Sequence, residues 1–210
     1  MKHPDPIPQA PTEAFPKLKA LETFLRNASK FQNLISDSDL KELWGRHILD
    51  SLAPLIASDA LRLQDGRTWV DIGSGAGLPV LPLALALPHW KFFAIEPRPL
   101  RAQHLQSAIK ELGIDNLQVY CAKSESVAVF PNLRGCAGIV STRAVGKIPE
   151  DAVRARPFLE DSGTFLTFKH EETVASIDGY HPLSYVRYRL PNVEEPRSLV
   201  MATLSSQAGT

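Results

Sequence analysis

The order of apolar and polar positions predicts strands that alternate with helices over most of this chain. Apolar runs rich in β-favouring residues predict strands over 67–72, 91–96, 117–121, 137–141 and 163–169. Apolar residues at helical spacing predict helices over 78–87, 98–112 and 149–159. The segments 183–189 and 199–204 alternate as an antiparallel pair does. The pattern favours an α/β fold, with a mostly parallel sheet covered on both faces and closed by an antiparallel hairpin.

The helix predicted over 98–112 is expected to pack on the sheet. Its inward positions include Leu100, His104 and Leu105. Gly113 follows the last apolar position and is expected to end the helix as its C-terminal cap.

The chain before the first strand predicts helices instead. Four prolines and few apolar groups make residues 1–14 a disordered or extended leader. Apolar residues recur at helical spacing from Phe15, and the Ser-Asp cluster at 36–39 is expected to cap a second helix. We therefore predict three parts: the leader, an N-terminal helical extension over 15–57 and a sheet domain over 58–210.

The second predicted helix carries polar residues on its apolar side. Its apolar stripe over 40–55 is interrupted by His47 and Ser51, with Arg46 and Asp50 beside them. On composition alone, a histidine in this position is favoured as a core residue bonded to a carbonyl.

The stretch over 69–79 carries the strongest candidate site. An acid, Asp71, lies at the end of an apolar strand, and Gly73, Gly75 and Gly77 follow at alternate positions. Glycine permits a sharp turn and lets a ligand lie against bare backbone. Because ligands of open α/β sheets bind at the carboxyl ends of the strands, this turn predicts a nucleotide-type site.

The spacing of these glycines helps to distinguish a dinucleotide from S-adenosylmethionine as the ligand. The dinucleotide fingerprint is G-x-G-x-x-G, whereas this turn reads G-S-G-A-G and resembles the first motif of S-adenosylmethionine-dependent methyltransferases. Glu96, at the end of the second predicted strand, is suited to accept hydrogen bonds from two ribose hydroxyls. A nicotinamide dinucleotide and S-adenosylmethionine both carry such a ribose. A nicotinamide-dependent oxidoreductase and a cofactor-binding module without catalysis therefore stay open beside a methyltransferase.

Composition narrows the class of protein. The 210 residues carry a formal net charge of +0, so any RNA site must be a local patch rather than a global basic field. Cys121 and Cys136 fall in predicted buried strands and match no metal-ligand spacing, which favours reduced core thiols and no metal site. The N-terminus lacks the apolar core of a signal peptide, and no run is long enough to span a membrane. A cytoplasmic protein is expected.

Three segments together are similar to the bacterial ribosomal RNA small-subunit methyltransferase G family, once called glucose-inhibited division protein B. They are the R-H-I-L-D-S hexapeptide at 46–51, the turn and helix start at 71–82, and the S-T-R-A tetrapeptide at 141–144. The resemblance implies a Rossmann-like class I methyltransferase sheet that binds S-adenosyl-L-methionine. It also implies methylation of a guanine N7 in 16S ribosomal RNA, either free or within the ribosomal particle.

The resemblance implies roles for single residues as well. Cofactor contacts are expected from the turn, the ribose-binding acid and the adenine-bordering pair, which are Gly73, Gly75, Leu78, Glu96, Ser124 and Glu125. Arg143 is expected to contact the cofactor as well, at the boundary between cofactor and guanine, and is the candidate catalytic residue. RNA contacts are expected from Arg46, His47, Arg101 and Lys169.

Three positions depart from the family's pattern. Val80 stands where the family usually has a glycine, Thr142 lengthens the S-R-A motif, and His170 replaces a glycine. Val80 is expected to be tolerated if its side chain points into helix packing.

Methylation of N7 requires the protein mainly to align the two reactants. Guanine N7 already carries a lone pair, so no proton must be removed and no general base is expected. Holding the two reacting atoms in line can supply about 7–11 kcal/mol of the barrier. Arg143 is expected to orient the guanine through its O6 side. A methyltransferase of a small molecule stays open, with residues 15–57 as an apolar lid, and a monomer is expected.

Overall fold

The computed structural model describes residues 5–32, 34–126, 131–143, 145–169, 174 and 176–205. Its helices are α1 Phe15–Gln32, α2 Asp37–Lys41, α3 Leu49–Ser51, α4 Val80–Ala86, α5 Pro99–Leu112 and α6 Ile148–Ala155. Its strands are β1 Thr68–Ile72, β2 Lys91–Ile95, β3 Leu117–Tyr120, β4 Ala137–Arg143, β5 Leu159–Lys169, β6 Ser184–Tyr188 and β7 Arg197–Thr203.

Within the described residues, the strands form one seven-stranded sheet in the order β3-β2-β1-β4-β5-β7-β6. Strands β1 to β5 run parallel, whereas β7 pairs antiparallel with both β5 and β6. The predicted parallel sheet with a closing hairpin is therefore confirmed. The strand order reverses between β1 and β4, and the carboxyl ends of strands at such a switch point are where these folds bind ligands.

Helices cover both faces of the sheet, as predicted. One face carries α1, α4 and α5 over an apolar core that includes Trp69, Phe92 and Leu166. The other face carries α6 over Val140 and Phe165. Helix α1 belongs to the same apolar core as the sheet, so the N-terminal helices add to that core.

Two local predictions at the helix ends are confirmed. Gly113 caps α5 with φ 61° in the left-handed region, and its N–H donates to the carbonyl of Ile109. Ser36 precedes α2 and accepts a hydrogen bond from the Asp39 N–H through its side chain. The Val80 side chain is fully buried at the start of α4, which meets the condition set for tolerating a valine there.

The second predicted helix is divided. Residues Leu43–Ile48 form a π-helix between α2 and α3, and residues Ala53–Ala57 continue as a 3₁₀-helix. A π-helix bonds residue i to i+5, which widens the turn and changes the direction of the side chains that follow. The hexapeptide over 46–51 lies across this widened turn.

Three side chains predicted to be buried are not. Cys121 is exposed because β3 ends one residue earlier, at Tyr120, and Cys136 is half-buried because it precedes β4. Leu100 is 75% exposed because it lies in the first turn of α5, at the rim where β2 has ended, whereas His104 and Leu105 are buried as predicted. In the described part of the chain, no helix has the length and apolar character that a membrane crossing needs.

Candidate active site

Strand register brings the predicted site residues to one edge of the sheet. Ile72 of β1 pairs with Thr142 of β4, so the residues that follow, Gly73 and Arg143, emerge side by side. Gly73 N–H donates to the carbonyl of Ile95, the last residue of β2. The glycine turn therefore lies between the ends of β2 and β4.

Glu96 supports the glycine turn from the β2 side. Its Oε2 accepts a hydrogen bond from Gly75 N–H at 2.8 Å, and its Oε1 accepts one from Arg98 N–H at 2.9 Å. The residue is buried, at 3% exposed. Because each carboxylate oxygen has two lone pairs, both oxygens keep an acceptor position for a ribose hydroxyl. The predicted ribose contact is compatible with this geometry and stays a prediction.

Asp71 lies beneath the turn and is fully buried. Ser141 Oγ donates to its Oδ1 at 2.6 Å, and Trp69 Nε1 donates to the Ser141 Oγ at 2.9 Å. Its Oδ2 has no hydrogen-bond partner among the described residues. Burial raises the pKa of the Asp71 carboxyl from its ordinary 3.8 to about 6, although the Ser141 hydrogen bond opposes that shift. A buried, unpartnered carboxylate oxygen is suited to a positively charged ligand group.

A cleft of about 200 Å³ opens next to the turn. Its walls include Gly73, Ser124, Glu125, Val145 and Arg154. Glu125 forms an ion pair with Arg154 at 3.2 Å. A hydrogen bond from its own backbone, followed by those from Ser124 and Arg154, holds the pKa of the Glu125 carboxyl below its ordinary value. The structure thus brings three of the predicted cofactor residues to one cleft, with Arg154 and Val145 as additions.

The segment that follows β4 is held from two sides at Gly146. Its N–H donates to Asp151 Oδ2 of α6 at 3.1 Å, and its carbonyl accepts from Lys169 Nζ of β5 at 2.8 Å. Val145, 39% exposed, lies against the glycine turn as a result. Lys169 was predicted to contact RNA, and in the structure its ammonium group holds this segment instead; the RNA contact stays a prediction.

Arg143 is turned toward the hexapeptide. Its Nη1 lies 3.2 Å from Ser51 Oγ, and its Nη2 lies 3.1 Å from both Asp50 Oδ2 and His47 Nδ1. The side chain is 13% exposed. His47 is therefore bonded to a guanidinium, and the interpretation as a core histidine bonded to a carbonyl is wrong. The predicted contact of Arg143 with the O6 side of guanine is not tested by these distances.

The remaining predicted residues are dispersed around the site. Arg46 is exposed on the π-helix, and Leu78 packs against the apolar core at the turn's end. An Arg101 guanidinium nitrogen lies 3.5 Å from where a side chain on Gly75 would begin, which places Arg101 at the turn. Ala144 and His170 lie outside the described residues.

Sequence reasoning missed the partners that hold these groups. Asp50 is completely buried and also contacts Tyr188 and Arg197 of the closing hairpin. The only signal in the sequence was a charged residue beside the apolar stripe of a helix. Asp151, which fixes Gly146, carried no signal at all.

Comparison with known proteins supports the same assignment. The family described as rRNA small subunit methyltransferase G matches residues 14–199. The chain belongs to this family. A Frankia alni protein named ribosomal RNA small subunit methyltransferase G is 29% identical, over 99% of this chain and 82% of its own length. A protein of that name from Mycobacterium sp. strain KMS is 33% identical, over 85% and 77%.

The fold is also found in solved methyltransferase-type structures. M. jannaschii TYW2 in complex with AdoMet superposes with a TM-score of 0.52 at 18% identity, over 71% of this chain and 74% of that one. At this identity the likeness concerns the fold alone. It agrees with the mostly parallel sheet and closing hairpin described above.

Membership of the methyltransferase G family resolves two alternatives. The chain is an S-adenosylmethionine-dependent methyltransferase, and neither a nicotinamide-dependent oxidoreductase nor a module without catalysis. The site fits that cofactor for three reasons: the glycine turn lines the cleft, Glu96 bonds that turn with acceptor positions to spare, and the buried carboxylate of Asp71 comes two residues before Gly73. Among the described residues, no group of three or more His, Cys, Asp or Glu side chains could hold a metal ion.

Replacing Gly73 with alanine is expected to weaken cofactor binding about tenfold. A left-handed backbone strains any L side chain by roughly 1–2 kcal/mol, and the free turn relieves that strain by leaving the conformation that binds the cofactor. Gly73 has φ +73°, and an added Cβ would lie 2.8 Å from Val145 Cγ2. Titration calorimetry with S-adenosylmethionine measures the loss. The Gly73→Ala/Val145→Ala double variant removes the clash but not the strain, so it should recover part of the affinity. A double variant no better than Gly73→Ala would show that Val145 plays no part.

Proposed function

We propose that this enzyme transfers a methyl group from S-adenosylmethionine to the N7 of a guanine in 16S ribosomal RNA. The observation that carries the proposal is the meeting of the glycine turn and Arg143 at one sheet edge, in a chain of the methyltransferase G family. The proposal includes a monomer that acts in the cytoplasm and needs no metal ion. It also keeps residues 15–57 as an extension of the sheet domain rather than a lid over a small molecule.

The chain's own residues would bind and align the reactants. S-adenosylmethionine, when bound, supplies a methyl group on a positively charged sulfur. The glycine turn and Glu96 would hold its nucleoside, Ser124 and Glu125 would border the adenine, and Asp71 would face its positive charge. Because guanine N7 presents its lone pair without losing a proton, no residue is assigned as a general base. Alignment of the two reactants then carries most of the catalytic effect.

The target guanine is expected to enter beside Arg143. A guanidinium can donate to guanine O6, which lies next to N7 on the same edge of the base. Such a contact would orient the base without engaging the attacking lone pair. Arg46 and Arg101 are proposed to contact the RNA backbone, since one is exposed on the π-helix and the other lies at the glycine turn.

The test is methyl transfer to ribosomal particles from a strain that lacks the corresponding methyltransferase. Tritiated S-adenosylmethionine, the purified enzyme and small-subunit particles are combined, and the labelled RNA is cleaved at 7-methylguanosine to map the product. Label at a single guanine of 16S RNA is expected. Label on no guanine, or on a small molecule alone, would contradict the proposal. Deproteinised RNA in a parallel reaction distinguishes free RNA from the particle as substrate.

Replacing Glu96 with glutamine is expected to weaken S-adenosylmethionine binding by about 10- to 100-fold, roughly the effect of leaving a buried donor without its acceptor. Both carboxylate oxygens accept backbone N–H groups, so the amide NH₂ of glutamine must face one of these donors. Calorimetry measures the change, with Glu111→Gln, an exposed position on α5, as the matched control. Equal affinities for the two variants would remove Glu96 from the cofactor site.

A further inference from the structure

The hexapeptide directs several polar atoms at a single guanidinium. His47 Nδ1, Asp50 Oδ2 and Ser51 Oγ lie 3.1, 3.1 and 3.2 Å from the Nη atoms of Arg143. The His47 carbonyl lies 3.5 Å from Nη1 and accepts from it as well. The widened turn of the π-helix places these groups on the side that faces the end of β4.

Asp50 is held in turn by the closing hairpin. Its Oδ1 accepts a hydrogen bond from the Tyr188 hydroxyl at 2.6 Å and lies 2.8 Å from Arg197 Nε. The carboxylate is therefore shared by two guanidinium groups, one from β4 and one from β7. Burial of the Tyr188 hydroxyl, with the neighbouring Asp50 charge, raises the pKa of that phenol far above its ordinary range, so it remains a donor.

The contact with Arg143 fixes the protonation state of His47. A guanidinium has donors and no acceptor, so His47 Nδ1 must accept and carries no proton. The remaining proton is on Nε2, which lies 3.2 Å from Asp39 Oδ1 of α2. Burial first, and the positive Arg143 second, lower the pKa of His47, which agrees with a neutral ring.

We propose that His47, Asp50 and Ser51 are positioning residues for methyl transfer, which hold the Arg143 guanidinium beside the glycine turn. In this assignment His47, Asp50 and Ser51 act through Arg143 rather than by contacting RNA themselves, and Tyr188 and Arg197 fix the carboxylate of Asp50. The inference rests on the proposed function, because it assumes that Arg143 faces the target guanine.

The arrangement is built for position rather than for stability. A buried carboxylate shared between guanidinium groups stabilises a fold little, because the desolvation of the charges offsets their attraction. A guanidinium held at both Nη atoms loses most of its freedom to rotate. A base aligned by such a group is held to a narrow range of angles, and small misplacements of reacting groups can lower a rate by about 100-fold.

The first experiment distinguishes a role in aligning Arg143 from a role in binding the cofactor or the particle. His47→Ala and Ser51→Ala are each expected to lower the single-turnover rate of methyl transfer to small-subunit particles, His47→Ala by about 10- to 100-fold, as loss of alignment does. The dissociation constant of S-adenosylmethionine and the particle KM should change little. Asp50→Asn should show the largest fall in rate, with Asp59→Asn, at an exposed carboxylate, as its control. If Asp50→Asn does not fold, the His47 variants decide.

The second experiment uses the proton on His47. Asparagine at position 47 offers an acceptor near the place of Nδ1 that cannot take up a proton. His47→Asn should therefore keep a rate within about threefold of the wild type at pH 8, because alignment is retained. His89→Asn, at an exposed histidine before β2, is the control.

The pH profile gives a readout that a merely structural role would not move. The charged and titratable groups that face His47 are Asp39 of α2, Asp50 of α3 and Arg143 of β4. A protonated Nδ1 could no longer accept a hydrogen bond from Arg143, and the two positive groups would repel each other. Because Arg143 would then lose its alignment, the wild-type rate should fall on the acid side, below pH 6.5. His47→Asn should lack that fall. Saturating cofactor removes the contribution of Asp71, whose titration changes affinity.

Several outcomes would overturn the inference. If His47→Ala matches the wild type in rate and pH profile, His47 does not position Arg143. If His47→Asn loses as much rate as His47→Ala and keeps the acid fall, the acceptor is not what matters. If every variant loses cofactor affinity or thermal stability in step with its rate, the cluster is structural. A wild-type enzyme that labels no guanine contradicts the proposed function instead, which keeps the two failures apart.

Discussion

Replacing Arg143 with lysine is expected to lower the single-turnover rate of methyl transfer by about 100- to 1000-fold, the scale seen when one aligned donor of an active site is removed. Lysine keeps a positive charge near Asp50, but its single ammonium cannot reach Asp50, His47 and Ser51 in the planar geometry of a guanidinium. The S-adenosylmethionine dissociation constant should stay within about threefold, since Arg143 stands beside the glycine turn and not within it.

Arg143→Lys is preferred to Arg143→Ala because the alanine variant would leave Asp50 with fewer positive partners in the interior. Removing one member of a buried ion pair destabilises a protein by about 3–5 kcal/mol. Arg134→Lys, at an exposed position, is the control for replacing an arginine with a lysine outside the site. Lost cofactor binding with a normal rate at saturating cofactor would show that Arg143 supports the cofactor site and does not face the guanine.

Replacing Asp71 with asparagine is expected to weaken S-adenosylmethionine binding by about 10- to 100-fold while making the folded protein more stable. The cofactor is positively charged, and Asp71 is a buried negative group two residues before Gly73, with no partner for its Oδ2 among the described residues. Asparagine keeps an acceptor for the Ser141 hydroxyl but has no charge. Calorimetry at pH 8 measures the affinity, and urea unfolding at the same pH measures the free energy of unfolding.

The sign of the stability change follows from the pKa of Asp71. The folded protein raises this pKa from 3.8 to about 6, so it holds the proton more tightly than the unfolded chain does. The free energy of unfolding therefore falls as the pH rises from 3.8 to about 6. At higher pH the ionised carboxylate lowers the free energy of unfolding by up to about 3 kcal/mol. Asp71→Asn should recover up to that amount at pH 8 and almost nothing at pH 4.

The same titration predicts how cofactor affinity depends on pH. Wild-type affinity should decrease as the pH falls through about 6, where Asp71 takes up a proton, and Asp71→Asn should show no such decrease. A wild-type affinity that stays constant from pH 8 to pH 5 would exclude Asp71 from the electrostatics of the cofactor site.

The elements of the sheet could be predicted because their signals are local. An apolar run followed by an acid and three glycines predicts a strand and a tight turn wherever the rest of the chain lies. The alternation of strands and helices then restricts the topology to a parallel sheet. Gly113 ended α5 as predicted because a left-handed cap needs only the residue itself and the preceding turn.

The contacts of the site could not be predicted because they join residues that are distant in sequence. Asp50 meets Arg143 and Arg197, and no periodicity links a helix to strands so far along the chain. The π-helix could not be predicted for a different reason. Over six residues, the apolar pattern of a π-helix is too similar to that of an α-helix for the sequence to distinguish them. Leu100 and Cys121 show the limit at element ends, where one turn or one residue decides exposure.

The position of Arg197 has a consequence for the order in which the enzyme matures. Its strand, β7, lies between β5 and β6 in the sheet, so the hairpin must insert before the Asp50 carboxylate acquires its last partner. Leu199 and Met201 of the same strand also belong to the apolar core that contains α1, so a chain that stops before residue 197 lacks part of that core as well. A chain that ends before residue 197 would lack both this partner of Asp50 and part of its core, so nonsense alleles shortly before that codon should be as defective as early ones.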